Sequence, residues 1–390
     1  YHWFLGTGMV HGLRLRDGRA EWYRNRFVRD ADVAEARGEP LLPGERDGDS
    51  MVNTHVIGHA GRTLALVEAG SRPVELSYEL DSVARCDFGG TLDGGLSAHT
   101  KADPVTGNLH TVTYNWAWDH IRHVVIDPDG RVTRELAVPV ADGPMVHDCA
   151  ITERYVLLFD LPVTFSLDHA MAGERFPYRW NPAHPSRVGL LPLDGTADDV
   201  TWYDAPECYV FHPLNAYDTD DGGVVVDVVR HPRMFDSVVN GPNEGASLLE
   251  RWTLPAGGSA VTAQGHDDVP MEFPRHDERL TGRKHRYGYG AVVHPSFTHG
   301  PLVKHDLEAG THEVHDFGPG RRTLEPVFVP RSAEAPEGDG WVTAVIWRAA
   351  ENRSDLVILE AQDIAKGPIA VAAVPRRVPF GFHGNWAAID

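Results

Sequence analysis

Short runs of β-branched and aromatic residues follow one another along almost the whole chain, and Gly, Asp or Pro separates them. The runs are TLALVEAG, HTVTYNWAW, HVVIDPDGRVTRELAV, YVLLFDLPV, GGVVVDVVR, WVTAVIW and DLVILEA. Such runs favour strands. The stretches DPDG after Ile126 and DTDDGG from Asp218 are typical of tight turns between antiparallel strands. The pattern therefore predicts an all-β chain in which successive strands pair as hairpins.

Helical periodicity is almost absent. The best helix candidate is DADVAEARGE, which is short and is followed by Pro40. Many short strands with frequent turns are compatible with a sandwich, a barrel or a propeller. We predict a propeller, because stacked four-stranded blades absorb a chain length that a single sandwich core cannot. No clean internal repeat is visible, so the pattern does not give the number of blades.

Composition narrows the class of protein. The chain has 390 residues, of which 42% are hydrophobic and 24% charged, which is enough for a large core. No Pro-rich, Gly/Ser-rich or charged linker divides it, so we expect one domain over residues 1–390. The net charge of −20 argues against nucleic acid and anionic lipid as partners. No apolar run is long enough to span a membrane, and no leader opens the chain.

The cysteines and histidines change this picture in different ways. Three widely spaced cysteines form no CxxC pair, which predicts reduced thiols and a cytoplasmic location. Among 22 histidines, four lie among small or apolar residues at predicted strand edges: His99, His147, His212 and His383. Each is either a hydrogen-bonded core side chain or a metal ligand, and their wide spacing matches no local zinc motif. We expect most of the others at the surface, for example His120, His123, His276 and His299.

Six ordered motifs carry a resemblance to a known family. They are LSAHTKADPVTGNLHT, MVHDCAITERYVLL, FHPLNAYD, EFPRHDERLTGRKHRYGY, EPVFVPR with DGWVTAVIW, and RVPFGFHGNW. Together they resemble the carotenoid cleavage oxygenases, a family that includes stilbene-cleaving dioxygenases and the retinal-pigment-epithelium isomerase. The stretch GTGMVHGLRLRDGRAEWYRNRFVR is similar to the family's first-blade motif. Since family members have a longer segment before that motif, we expect the N-terminal segment to be missing here.

The resemblance implies a seven-bladed β-propeller with a metal site on its axis. It also implies one non-haem Fe(II) per chain, O2 as co-substrate and four histidine ligands, namely His99, His147, His212 and His383. The family supports its ligands with three glutamates, and the matching positions are Glu68, Glu272 and Glu325, with Glu278 as a nearby competitor for the second. A fourth acceptor would be a water, a hydroxyl or a backbone carbonyl, and Thr100 is a candidate. We assign no acid–base dyad to His147 and Asp148.

The implied reaction is oxidative cleavage of a C=C bond in a carotenoid or apocarotenoid to two carbonyl products. The protein would contribute positioning and a dry cavity rather than acid–base groups. An apolar conjugated substrate needs an apolar tunnel, and five aromatic residues lie near the ligand motifs: Phe88, Trp116, Phe165, Phe382 and Trp386. Aromatic side chains beside inner strands are also common core residues.

Three alternatives remain open at this stage. One is a stilbene- or phenylpropene-cleaving dioxygenase; family members of that branch are expected to carry a lysine before the first glutamate, where this chain has Val67. The others are a non-oxidative isomerase and a binding propeller without catalysis. The loop VTFSLDHAMAGERFPYRW is a weak apolar patch that would allow peripheral contact with a membrane. No protein partner is evident.

Overall fold

Antiparallel strands form nearly all the regular structure. The computed structural model of the chain describes residues 2–44, 51–241, 244–294 and 298–388. It begins with a two-stranded hairpin whose strands are β1 (Met9–Arg16) and β2 (Arg19–Phe27). Six sheets of four or five strands follow along the chain. The prediction of an all-β propeller is confirmed, and every strand pair within these sheets is antiparallel.

The first three sheets occupy the first half of the chain. Sheet 1 contains β3 (His55–His59), β4 (Arg62–Leu66), β5 (Val74–Leu76) and β6 (Ser82–Arg85). Sheet 2 contains β7 (Lys101–Ala102), β8 (Leu109–Thr113), β9 (His120–Ile126) and β10 (Val132–Pro139). Sheet 3 contains β11 (Cys149–Ile151), β12 (Tyr155–Asp160), β15 (Arg187–Pro192) and β16 (Thr201–Asp204). A small hairpin, β13 (Val163–Phe165) and β14 (Tyr178–Trp180), is inserted in sheet 3.

The last three sheets follow the same plan. Sheet 4 contains β17 (Tyr209–Asp218), β18 (Val224–His231), β19 (Leu248–Leu254) and β20 (Thr262–Gly265). Sheet 5 contains β21 (Met271–Arg275), β22 (Tyr287–His294), β23 (Thr298–Asp306) and β24 (Thr311–His315). Sheet 6 contains β25 (Arg321–Thr323), β26 (Val327–Pro330), β27 (Gly340–Arg348), β28 (Arg353–Glu360) and β29 (Pro368–Val374).

The expected number of seven blades is wrong for the described residues, which form six blades. The hairpin of β1 and β2 has two strands and lacks the outer pair that would make it a seventh blade. Its strand β2 instead contacts β29, at the edge of sheet 6. The number seven came from family resemblance, and no repeat in the sequence could have corrected it.

Helices are few and short. The predicted helix is α1 (Ala31–Arg37); the Asp30 carboxylate accepts a hydrogen bond from the Val33 amide at 2.8 Å, and Gly38 ends the helix with a φ of 65°. A second helix that the pattern does not predict, α2 (Leu167–Met171), connects β13 to β14. The 3-10 turns are Trp3–Leu5, Ala197–Asp199, Glu278–Leu280, Ala349–Glu351 and Ile364–Lys366. No helix in the described part of the chain is both long and apolar enough to cross a membrane.

The predicted turns lie where the sequence places them. DPDG connects β9 to β10, and the Asp127 carboxylate accepts hydrogen bonds from the amides of Asp129 and Arg131. DTDDGG connects β17 to β18. The three cysteines are free and buried. The largest core cluster runs from Val112 to Leu254 and joins sheets 2, 3 and 4.

Several histidines expected at the surface are buried instead. His123 is fully buried and its Nε2 lies 3.2 Å from Nδ1 of His110, while His276 and His299 are also buried. The expectation was wrong because both faces of a blade between two neighbours are covered, so polar residues such as His123 in β9 are buried with the apolar ones. His120 is half-buried and pairs with Asp119.

Candidate metal centre

Four histidine side chains from distant parts of the chain meet at one point. His99 precedes β7, His147 precedes β11, His212 lies in β17 and His383 lies in the segment after β29. One ring nitrogen from each lies within 4.8 Å of the others. No other group of three or more potential metal ligands meets this criterion among the residues that the structure describes. The four histidines singled out from the sequence are therefore brought together by the fold.

In three of these rings a carboxylate lies next to Nδ1. Glu68 Oε2 is 2.6 Å from His147 Nδ1, and Glu272 Oε2 is 2.6 Å from His212 Nδ1. The third contact, from Glu325 Oε1 to His383 Nδ1, measures 2.9 Å. A carboxylate acceptor fixes the proton on Nδ1 and leaves the Nε2 lone pair for another partner.

These contacts leave nitrogen lone pairs facing one another at the centre of the cluster, and a cation between them would remove the repulsion. His147 Nε2 and His212 Nε2 lie only 3.2 Å apart. Glu272 pairs with His212 Nδ1 and Glu68 Oε2 lies 2.6 Å from His147 Nδ1, so a proton on each Nδ1 leaves the two Nε2 lone pairs facing each other. His99 Nε2 is also buried, with no hydrogen-bond partner within the described ranges. Buried acceptors without a donor are costly, so the arrangement fits a bound metal ion.

The protonation states agree with this interpretation. Burial, together with His147, His383 and His212, holds the pKa of His99 well below its usual value. Burial also lowers the pKa of His383 to about 4, although Glu325 opposes the shift. Neutral imidazole is the form that binds metals. Burial opposes a charge on His212, but Glu272 outweighs it and raises that pKa, so a positive partner, proton or metal, is favoured there.

Glu272 and Glu325 have lowered pKa values, and all three glutamates have further partners. Burial would raise the pKa of Glu325, but Arg275 and His383 outweigh it and lower the pKa to about 2. Burial is likewise outweighed at Glu272, where His212 and His231 lower the pKa. Glu272 Oε1 contacts His231 Nε2 at 2.7 Å, and Tyr114 donates its hydroxyl to Glu68 Oε1 at 2.6 Å. The carboxylates of Glu272 and Glu325 therefore stay negative next to their imidazoles.

Two local irregularities aim the side chains of sheets 4 and 5. The register of β17 against β18 shifts between Val210 and Pro213, on either side of His212. The register of β21 against β22 shifts between Glu272 and Arg275, and Phe273 between them has a φ of 54°. Such bulges redirect side chains out of the regular alternation and are common near functional sites. Phe273 then stacks on the His212 ring, with a centroid distance of 5.4 Å.

The other predicted residues are placed as follows. Glu278, the competitor for Glu272, contacts Arg275 rather than a histidine. Phe88 packs in a core cluster with Leu66 and Leu96. Trp116 stacks on Phe165 at a centroid distance of 5.2 Å. Both of these rings line an apolar cavity of about 610 Å³, and Phe382 lines it too.

This cavity reaches from the protein surface to the histidines. Its inner end is lined by His147, His212 and His383, and its outer end by Leu167 and Met171 of α2, which are 63% and 81% exposed. A second cavity of about 880 Å³ also reaches His212 and His383, and Trp386 lines it. Its wall carries more polar groups, including Lys101 and Asp148. The histidine cluster therefore lies where an apolar and a more polar cavity meet.

Sequence reasoning missed several residues that contact the glutamates and histidines. Tyr114, His231 and Arg275 each contact one of the three glutamates. Asp148 lies near His99, with 3.6 Å between Oδ2 and Nδ1. The pair His147–Asp148 was visible in the sequence, but nothing in it indicated that the aspartate would face a different histidine.

The fold and the site define the class of protein: it is an all-β propeller in which four histidines that could hold a metal ion lie at the inner end of an apolar cavity. Comparisons with known proteins identify the family. The model of the retinal pigment epithelial membrane protein family matches residues 1–388. The chain is 42% identical over 441 aligned residues to a carotenoid cleavage oxygenase of Mycobacterium tuberculosis, covering 99% of this chain and 88% of that protein. The chain belongs to the carotenoid cleavage oxygenase family.

Solved structures agree with this assignment. The lignostilbene dioxygenase of Pseudomonas brassicacearum superposes with a TM-score of 0.90 at 32% identity, covering 98% of this chain and 87% of that one. The cobalt-substituted apocarotenoid oxygenase of Synechocystis gives a TM-score of 0.87 at 27% identity, covering 99% and 88%. These relatives are oxygenases that act on carotenoid or stilbene compounds, as their names state.

Proposed function

We propose that this chain is a non-haem Fe(II) dioxygenase that cleaves a C=C bond of a carotenoid or apocarotenoid to two carbonyl products. The observation that carries the proposal is the convergence of four imidazoles at the inner end of an apolar cavity, with a carboxylate against three of them. We further propose one ion per chain on the propeller axis, O2 as co-substrate, and one cytoplasmic domain over residues 1–390.

The donor set supports a first-row transition metal. In this proposal His99, His147, His212 and His383 hold the ion through their Nε2 atoms, and Glu68, Glu272 and Glu325 orient three of the rings. Imidazole nitrogen suits iron and its neighbours in the first row better than magnesium or calcium. The cobalt-substituted relative supports a transition metal in proteins of this family. When bound, the iron would supply the activation of O2, which no side chain of the chain can provide.

The residues of the chain position the substrate and keep water away. The apolar cavity is lined by rings such as Phe165, Phe211 and Phe382 that can pack against a flat conjugated chain. Phe273 and Phe211 contact the histidine rings and cover them on the cavity side. The apolar lining next to the histidines is in keeping with a reaction that needs positioning and a dry site.

The wall next to Glu68 supports a carotenoid-type substrate. Val67 is buried, lines the 610 Å³ cavity and occupies the position where a stilbene-cleaving enzyme is expected to carry a lysine. A valine cannot pair with a phenolate. The 42% identity to a carotenoid cleavage oxygenase points the same way.

Cleavage of a stilbene or phenylpropene is the second candidate. It is supported by the lignostilbene dioxygenase, which has the highest TM-score among the structures compared above. Two phenol groups on the cavity wall, Tyr114 and Tyr178, could meet a polar substrate end. Tyr114 already donates its hydroxyl to Glu68, however, and so offers less to a ligand.

Product analysis tests the proposal. Fe(II)-loaded protein is incubated in air with apocarotenals, a full-length carotenoid and resveratrol, and products are identified by mass spectrometry. We expect paired carbonyl fragments from an apocarotenal or the carotenoid, and none from resveratrol. Fragments from resveratrol alone would replace the first candidate with the second. A loaded protein that cleaves none of these compounds would contradict the proposed activity.

A further inference from the structure

His99 is supported differently from the other three histidines. Its Nδ1 lies 3.6 Å from Asp148 Oδ2, whereas the glutamates approach their rings to 2.6–2.9 Å. Its Nε2 is buried and has no hydrogen-bond partner in the described segments. Asp148 is 3% exposed, so its carboxylate cannot be satisfied by bulk water. A buried carboxylate beside the fourth ring needs a physical explanation.

Asp148 is fixed at both of its oxygens. Oδ1 accepts a hydrogen bond from the Cys149 amide at 2.6 Å, and Oδ2 accepts one from Lys101 Nζ at 2.8 Å. The Lys101 side chain is one-fifth exposed, so its ammonium is partly hydrated. The same Oδ2 therefore lies between the ammonium group of Lys101 and the imidazole of His99.

We propose that Asp148 is the positioning residue for His99. Lys101 anchors the Asp148 carboxylate and weakens the attraction of that carboxylate for the imidazole proton of His99. This inference rests on the proposed metal site. A carboxylate near Nδ1 keeps the proton on that nitrogen and presents Nε2 to the centre, which is the role of the glutamates at the other rings. Because Oδ2 also bonds to an ammonium, it attracts the imidazole proton less strongly than a free carboxylate.

Because His147 and Asp148 are adjacent in the chain, one short segment contacts or contributes two of the four rings. His147 contributes its own imidazole, and Asp148 next to it points toward the histidine of the neighbouring sheet. Successive side chains of an extended segment point in opposite directions, so adjacent residues can contact different neighbours. The His147–Asp148 pair thus connects the elements that carry His99 and His147.

The competing explanation is a structural ion pair between Asp148 and Lys101. The two explanations differ in what the variant Asp148→Asn does. An asparagine can still accept from the Cys149 amide, but its NH2 group would then face Lys101 and His99 Nδ1, which are both donors. A structural role predicts a loss of stability alone. A positioning role predicts weaker metal binding by folded protein.

The test is a Co(II) titration of the full chain against a competing chelator. Asp148→Asn should weaken Co(II) binding by about 10- to 100-fold, as expected for loss of an outer partner of a metal-binding histidine. Asp227→Asn is the matched control, because Asp227 is equally buried in an ion-pair cluster of sheet 4. The control should lose stability and keep its Co(II) affinity. Unchanged Co(II) affinity in Asp148→Asn would overturn the inference and leave the proposed function intact.

A second variant keeps the inference testable if Asp148→Asn does not fold. Lys101→Met removes the anchoring charge at a partly exposed position and leaves the carboxylate in place. In the Co(II)-loaded protein, the metal shifts the exchangeable imidazole N–H signals in the NMR spectrum. We expect one of these signals to move in Lys101→Met while the others stay, and no movement would overturn the inference. Failure of the wild-type chain to bind Co(II) or Fe(II) would instead overturn the proposed metal site itself.

Discussion

At the residue scale, the candidate centre is a set of imidazole–carboxylate pairs. The sequence predicted the four histidines and three glutamates through family motifs, because such short motifs keep their residue types in order. It favoured Glu272 but left Glu278 as a competitor, since both lie in the same motif. The structure separates them, because the bulge at Phe273 directs Glu272 to His212 while Glu278 contacts Arg275. The contact of Asp148 with His99 was not predicted, because the two residues are distant along the chain.

Glu325 offers a direct test of these pairs. Its Oε1 faces His383, while Oε2 accepts from Arg275 and from the Gly384 amide. In Glu325→Gln an NH2 group must face a donor on one side or the other. We expect the fold to persist and metal affinity to fall by about 10- to 100-fold, measured by chelator competition.

The control for this experiment is Glu278→Gln. Glu278 contacts the same arginine, but its side chain is 57% exposed. The substitution Glu278→Gln should leave the metal affinity unchanged, because an exposed ion pair contributes little to stability. Equal affinities for wild type and Glu325→Gln would contradict the role proposed for Glu325.

At the element scale, hairpins with clear turn residues were predicted well, and long-range arrangements were not. The turn after Ile126 and the helix α1 depend on local chemistry that the sequence displays directly. The buried His123 and His299 and the helix α2 depend on neighbouring sheets and insertions, which no local pattern contains. The bulges at His212 and Glu272 likewise could not be predicted from the local sequence.

The strand β18 carries a buried charge cluster with a predictable pH response. Asp227 contacts Arg251 through two hydrogen bonds of 2.9 Å and His266 through one of 3.0 Å. Burial would raise the pKa of Asp227, but the hydrogen bonds from His266 and Arg251 outweigh it and lower the pKa. A carboxyl group with a lower pKa in the folded state stabilises the fold above its unfolded pKa of about 3.9, and this contribution disappears as the pH falls.

Asp227→Asn should therefore destabilise the protein most near neutral pH. We expect a loss of about 3 kcal/mol in the free energy of unfolding at pH 7, because the substitution leaves buried positive partners without their anion. Urea unfolding measured from pH 7 down to pH 3 should show wild type and variant converging below about pH 4. A difference that stays constant over this range would mean that the ionisation of Asp227 contributes nothing to stability.

At the scale of the whole molecule, the site draws on every sheet. Glu68 follows β4 of sheet 1, His99 precedes sheet 2 and His147 precedes sheet 3. His212 lies in sheet 4, Glu272 lies in sheet 5, and Glu325 connects β25 to β26 of sheet 6. Strand composition predicted a propeller, since no other all-β fold accommodates this length as easily. The blade number could not be predicted, because the blades share no sequence repeat.

A ligand that connects several sheets should stabilise the folded molecule. Metal at 100 times its dissociation constant adds about 2.7 kcal/mol if only the folded state binds it. We expect the melting temperature to rise when Fe(II) or Co(II) is added anaerobically to metal-free protein. His212→Ala and His383→Ala should lose this response and fail to retain iron. A full response in either variant would remove that histidine from the proposed ligands.

The most direct test of the proposed function is the fate of both oxygen atoms during cleavage. Fe(II)-loaded protein is incubated under ¹⁸O2 with the compound that it cleaves in the product analysis. The carbonyl products are reduced at once to alcohols to stop exchange of their oxygen with water. Mass spectrometry should find one ¹⁸O atom in each of the two products, as required of a dioxygenase. Label in only one product, with the other oxygen coming from water under conditions that exclude exchange, would contradict the account.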